Sequence, residues 1–143
     1  MSRGPEANFW SMLKRRLKER KSFFTRVENR AGGGIPDTYI SDAGVSFWIE
    51  MKVEKSGRAK LRTGQIAWDS SHWQKGGTNF YLVLTKDQGH RTAIYIFAGS
   101  KGPDLMEEKC VNVENLYYGF DIDSALDLMR QVAVVRLLDR AAR

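Results

Sequence analysis

Asp37, Glu50 and Lys52 are the residues of this 143-residue chain whose types and spacing could do chemistry together. Glu50 and Lys52 lie in a run where Val45, Phe47, Ile49, Met51 and Val53 alternate with Ser46, Trp48, Glu50, Lys52 and Glu54. The alternation predicts a strand with one face in the core and the other carrying a carboxylate and an ammonium side by side. Asp37 opens the preceding predicted strand, 37–41, and the turn Asp42-Ala43-Gly44 closes a hairpin that brings Asp37 beside Glu50. Two carboxylates at close range repel unless a cation sits between them. A few hard oxygen donors suit Mg²⁺, which keeps several waters and takes phosphate oxygens as further ligands. Such an ion eases deprotonation of water and neutralises phosphate charge. A lysine beside it can orient or deprotonate the nucleophile, or stabilise the transition state. These are the parts needed to hydrolyse a phosphodiester bond. Without Asp37, the Glu50–Lys52 pair would read as an exposed ion pair worth under about 1 kcal/mol.

The surrounding pattern supplies elements to hold these groups. Residues 5–21 read as a helix: Pro5 suits a first turn, Glu6 complements the helix dipole, and Phe9, Met12, Leu13 and Leu17 recur near a 3.6 period. Residues 22–28 read as a short strand, broken by Gly32-Gly33-Gly34. After the catalytic strand comes a basic loop, 55–62, and then a helix from Thr63 as N-cap to about Lys75, closed by Gly76-Gly77. Phe80–Thr85 and Thr92–Ala98 read as a hairpin around Asp87-Gln88-Gly89. Residues 99–120 predict a loop, a short helix near 102–108 and an edge strand at Cys110–Val113. A last helix runs from Asp123 to about Ala141, with Leu126, Met129, Val132, Ala133 and Leu137 facing inward. The order α-β-β-β-α-β-β-α predicts the α/β class, a mixed central sheet flanked by helices.

Ile35-Pro36-Asp37, then Ile49-Glu50-Met51-Lys52, resembles the PD-(D/E)XK nuclease signature. Gly33-Gly34 before it, Trp48 within it and Leu61-Arg62-Thr63-Gly64-Gln65-Ile66-Ala67-Trp68 after it resemble the VRR-NUC branch, which is similar to the Holliday-junction resolvases of archaea and phages. The resemblance covers about residues 5–85. It implies a restriction-endonuclease-like core in α-β-β-β-α-β order, Mg²⁺ or Mn²⁺, and cleavage of DNA, often at branched, junction or flap structures. It also implies site roles: Asp37, Glu50, Lys52 and Gln65 as catalytic residues, and Glu6, Asp37, Glu50 and the backbone carbonyl of Met51 as metal ligands. Homodimers are part of that expectation. So is a cytoplasmic setting, in a bacterial or phage-infected cell.

Composition agrees with one compact nuclease domain over 1–143. The net charge of +6 and pI near 9.6 favour a polyanionic partner. Two basic runs would grip backbone phosphates: Lys14, Arg15 and Lys18 in KRRLKERK, and Lys55, Arg58, Lys60 and Arg62 in the loop. Such contacts carry little base information, so shape would select the substrate. No apolar run is long enough for a membrane span, and no secretory signal opens the chain. A single cysteine, Cys110, fits a reducing compartment. The glycines lack a following GKS or GKT, which argues against a nucleotide cofactor. His72 and His90 have no metal-ligand spacing, and Trp68 and Trp73 read as core. Glu54 reads as exposed, and a valine-thickened stripe on the last helix (Val132, Val134, Val135) as core or a dimer surface. Two other functions stay open: a catalytically inactive nucleic-acid-binding module of the same fold, and an RNA-directed nuclease.

Overall fold

The computed structural model describes residues 4–27 and 36–142. The turn at Gly32–Gly34, the end of the strand predicted over 22–28, and Ile35 of the signature lie outside the described residues. The elements run α1 (Pro5–Glu19), β1 (Phe23–Arg26), β2 (Thr38–Asp42), β3 (Val45–Val53), α2 (Thr63–Gln74), β4 (Asn79–Lys86), β5 (Thr92–Ala98), α3 (Gly102–Glu107), β6 (Tyr117–Gly119) and α4 (Ile122–Ala141). Among the described residues, six strands form one sheet in chain order. Neighbours pair antiparallel except β3 and β4, which are parallel and joined across α2. The expected mixed sheet flanked by helices is therefore the architecture found.

Two apolar layers follow from strand alternation. On one face Ile40, Phe47, Ile49, Met51, Phe80, Leu82, Ile94 and Ile96 meet Phe9, Leu13 and Leu17 of α1 and Ala125, Leu126 and Met129 of α4. On the other, Tyr81, Val83, Tyr95 and Phe97 pack with Leu105 of α3, Ala59, Cys110 and Val113. β4 and β5 are thus buried on both sides, which explains their nearly unbroken apolar sequence. Truncating one such residue, for example Leu82 to Ala, would cost about 2–5 kcal/mol.

Several expectations change. Cys110–Asn112 is a single 3₁₀ turn, and the sixth strand is Tyr117–Gly119, pairing with Ile94–Ile96. α4 starts earlier than Asp123, because the Asp121 side chain accepts from the backbone N–H of Asp123 and Ser124 and caps the helix. Thr63 is the first residue of α2, with Arg62 at its N-cap. Leu137 is 47% exposed rather than inward, since the buried side chains of α4 end at Ala133 and the helix runs on past the sheet. The valine stripe splits: Val132 packs on the core while Val135 is exposed. Glu54 is half-buried and paired with Lys60 at 3.7 Å. No helix among the described residues is long and apolar enough to cross a membrane.

Candidate active site

The β2–β3 register builds the site. Thr38 lies opposite Ile49, so Asp37, one residue before β2, falls opposite Glu50. The Asp37 N–H donates to Glu50 Oε2 at 3.2 Å. In return the Met51 N–H donates to both carboxylate oxygens of Asp37 at 3.3 Å, and Thr38 Oγ1 donates to Asp37 Oδ1 at 2.9 Å. Because a strand residue points its N–H and C=O to the same side, the Met51 carbonyl also leaves β3 on the Asp37 edge, where β2 has ended.

Glu50 is held at both oxygens. Its Oε1 accepts from Gln65 Nε2 at 2.5 Å and lies 3.6 Å from Lys52 Nζ. Gln65, itself buried, is oriented by its other end: its Oε1 accepts the Arg62 N–H at 3.1 Å, which turns the NH₂ toward Glu50. The expected association of Asp37, Glu50, Lys52 and Gln65 in one small volume is present in the geometry.

Burial pushes the Glu50 carboxyl up to about 7, and the Asp37 charge adds to that, against the opposing ammonium of Lys52. Burial likewise raises Asp37, against the Thr38 hydroxyl and the Arg26 charge. The two carboxylates thus lie close together and desolvated, with the Lys52 ammonium beside Glu50 and the Arg26 charge acting on Asp37. Such a pair gains from a further positive ion, and its oxygens with the Met51 carbonyl form a hard donor set of the kind Mg²⁺ or Mn²⁺ takes with water and phosphate completing the shell. The residues fit the ion.

Glu6 is placed differently. It is exposed in the first turn of α1 and pairs with Arg26 at 3.5 Å, whose guanidinium lies over Trp10. Its charge still contributes to raising Asp37, yet among the described residues no three His, Cys, Asp or Glu side chains converge on a metal position.

A further carboxylate, buried like Glu50, stands beside the pair. Asp69 lies one helical turn after Gln65 and is 2% exposed. Burial pushes it up to about 7; Tyr81 and Asn79 oppose, the Asp37 charge adds, and Lys52 opposes. Asn79 Nδ2 donates to its Oδ1 at 3.2 Å. The Tyr81 hydroxyl is near enough to favour the carboxylate, but Asp69 Oδ2 and Tyr81 Oη have no hydrogen-bond partner of normal geometry among the described residues. The one sequence signal for Asp69 is its spacing of four from Gln65, which puts both on one helix face.

The basic residues fall into separate layers. Lys14, Arg15 and Lys18 ride on α1, whose apolar side packs on the sheet face opposite Glu50, and their neighbours Arg16 and Arg20 are tied to Asp123, Asp42 and Asp127. Lys55, Arg58, Lys60 and Arg62 are exposed in the loop that leaves β3. Lys55 borders a cavity of about 430 Å³ together with Lys86, His90 and Lys109, which the sequence did not connect.

No family model matches this chain, and no curated protein matches it. Among solved structures it is similar to Hjc of Archaeoglobus fulgidus, a Holliday junction resolvase from an archaeal hyperthermophile. The identity is 18%, over 67% of this chain and 74% of that one, with a TM-score of 0.46. A likeness of that size leaves the site to stand on its own geometry.

Proposed function

We propose that this chain is a divalent-metal-dependent endonuclease of the PD-(D/E)XK type, in the VRR-NUC or junction-resolvase branch, acting on branched DNA. The observation that carries the reading is that Glu50 accepts from the Asp37 N–H while the Asp37 carboxylate accepts from the N–H of Met51, next to Glu50, with Gln65 and Lys52 meeting on one Glu50 oxygen. An ion pair left on a strand surface would need neither the buried glutamine nor the second carboxylate.

Asp37, Glu50 and the Met51 carbonyl would hold Mg²⁺ or Mn²⁺, with Glu6 as an outer acidic member. When bound, the ion supplies Lewis acidity toward the phosphate and makes a hydroxide nucleophile accessible near neutral pH. The protein's own groups do the rest. Gln65 and the Asp37 N–H fix both Glu50 oxygens, so the carboxylate keeps one rotamer. Met51 fixes Asp37 in the same way. Lys52 presents its ammonium beside Glu50, where it can orient the attacking water and stabilise negative charge growing on the phosphate oxygens. Water oxygen bonds to phosphorus, one P–O ester bond breaks, and the leaving oxygen takes a proton. The exposed loop cations Lys55, Arg58, Lys60 and Arg62 hold flanking phosphates, which selects backbone path rather than base sequence.

The test is cleavage of a labelled four-way DNA junction, beside a flap, linear duplex, single strand and an RNA version of the junction. It is run with Mg²⁺, with EDTA, and with Lys52→Ala. Metal-dependent cuts at the branch that fall by about 10²–10³ in Lys52→Ala support the reading. Tight binding with no cleavage in Mg²⁺ or Mn²⁺ replaces it with a binding module, and selective cutting of the RNA version replaces the substrate.

A further inference from the structure

Beyond the carboxylates, the same two strands carry a row of aromatic rings. Tyr39 and Trp48 are directly paired across β2 and β3. Each lies two residues from a site carboxylate, Tyr39 from Asp37 and Trp48 from Glu50, so both leave the same sheet face about 7 Å away along the strands. Their ring centroids are 5.3 Å apart, edge to face. The row continues in both directions. Phe23 of β1 lies 6.3 Å from Tyr39, and Trp68 of α2 lies 6.1 Å from Trp48. His72 then stacks on Trp68 at 4.8 Å.

This row is accessible. Phe23 is 63% exposed, and Thr25 and Ser46 on the same face are exposed too. Tyr39, Trp48, Trp68 and His72 are each half-buried. Open clefts border the row on two sides: one runs along Trp68 and His72 on the outer side of α2, the other along Tyr39, Trp48 and His72 toward Arg140. Among the described residues, the strand residues of this face around the row are Phe23, Thr25, Tyr39, Ser41, Ser46 and Trp48, none of them charged, with Glu50 and Lys52 following along β3.

We propose that the row Phe23–Tyr39–Trp48–Trp68 is a stacking platform for unpaired nucleobases of the strand cut at Asp37 and Glu50, which makes the substrate one with a single-stranded or splayed segment beside the cleaved bond. The inference rests on the nuclease reading of that site. Bases stack on aromatic faces whatever their identity, whereas paired bases inside a duplex offer no free face. A second copy of the chain fits less well. Stable protein interfaces bury about 1,200–2,000 Å² in total, and a row one side chain wide on each strand presents little of that. A protein docked there would also crowd the carboxylates one step along the strands.

The experiment is equilibrium binding by the full chain in EDTA, so that binding is read apart from cleavage. The probes are an oligothymidine strand and a blunt duplex of equal length, for wild type, Phe23→Ala, Tyr39→Leu and Trp48→Leu. Anisotropy reads affinity, tryptophan emission reads stacking, and a thermal melt by circular dichroism confirms that each variant folds. The expected result is quenching by oligothymidine and a roughly 5- to 150-fold weaker single-strand affinity in the variants. Duplex affinity should stay within about twofold, and the salt slope should not change, because no phosphate contact is lost. Phe23→Ala removes the most exposed ring and keeps the test valid if a tryptophan variant fails to fold. Absent quenching, or equal losses on strand and duplex, overturns the platform. So does a two-chain mass by light scattering that becomes one chain in Phe23→Ala. Strand binding as expected with no cleavage by wild type in Mg²⁺ would instead overturn the nuclease reading alone.

Discussion

Gln65 donates its side-chain NH₂ to Glu50 Oε1 at 2.5 Å, the same oxygen that Lys52 approaches at 3.6 Å. The bond joins the first turn of α2 to the middle of β3, and it buries an amide whose other end is already committed to the Arg62 N–H. Gln65 is therefore a positioning residue whose two hydrogen bonds leave it no freedom to turn.

Replacing Gln65 by Ala leaves Glu50 without its donor and able to change rotamer. Outer partners of metal ligands typically matter by 10–100-fold, so Mn²⁺ affinity should fall by about that factor. Glu50 would also lose a buried bond, at a cost on the order of 1–3 kcal/mol in stability. Isothermal titration with Mn²⁺ and a urea melt check the two effects separately. Unchanged Mn²⁺ affinity would remove Gln65 from the site.

Adding Mg²⁺ should stabilise the folded chain, since a ligand that binds the native state alone raises its stability by about 2.7 kcal/mol at a hundred times its Kd. Asp37→Asn should abolish the gain. Glu6→Gln should reduce Mn²⁺ affinity by no more than about tenfold, the size of an outer-shell effect, because Glu6 stands exposed against Arg26 rather than between the two carboxylates. Thermal melts across a metal titration read all three proteins. Equal losses in Glu6→Gln and Asp37→Asn would make Glu6 a direct ligand.

Asp69 makes stability depend on pH in an unusual direction. Its carboxyl ordinarily titrates at 3.8 and is pushed up to about 7 by burial in the folded chain. Between those values the folded state holds a proton that the unfolded state has lost, so stability falls as pH rises through the window. Below it both states are protonated; above it both are ionised and the cost is constant. Asp69→Asn keeps an oxygen for Asn79 and removes the buried charge. The variant should match wild type near pH 4 and exceed it above pH 7 by on the order of 1–4 kcal/mol. Urea midpoints across that range, in EDTA, would show the divergence. Parallel curves would mean that Asp69 ionises without penalty.

The basic loop should dominate the salt dependence of binding. Changing Lys55, Lys60 and Arg62 together to Gln should lower the slope of log affinity against log salt by about one per lost phosphate contact. Changing Lys14, Arg15 and Lys18 should do less, because α1 packs on the opposite sheet face. Anisotropy titrations on one junction at several salt concentrations decide it. A larger effect from the α1 variant would place the nucleic acid on the other side of the molecule.

The sequence by itself determined the pair at the centre of the site. Asp37 and Glu50 belong to one hairpin with a short turn, so the alternation of residues 45–54 and the turn at Asp42–Gly44 decide both the shared face and the pairing. The position of Gln65 followed from the helix that begins two residues earlier at Thr63. What only the tertiary structure decided are contacts whose partners lie in different layers or distant strands. Asp69 looks like any polar helix residue until the α2 crossover lays it over Asn79 and Tyr81. Trp48 reads as a residue on the strand face of Glu50 and Trp68 as a core residue, yet the two rings meet at 6.1 Å across β3 and α2. The last strand formed at Tyr117–Gly119 rather than at Cys110, because Tyr95 and Ile96 of β5 offered a free edge there and Cys110 was drawn into the second apolar layer. Local periodicity encodes which way a side chain points. Which surface it then finds depends on packing between segments that the chain brings together only on folding.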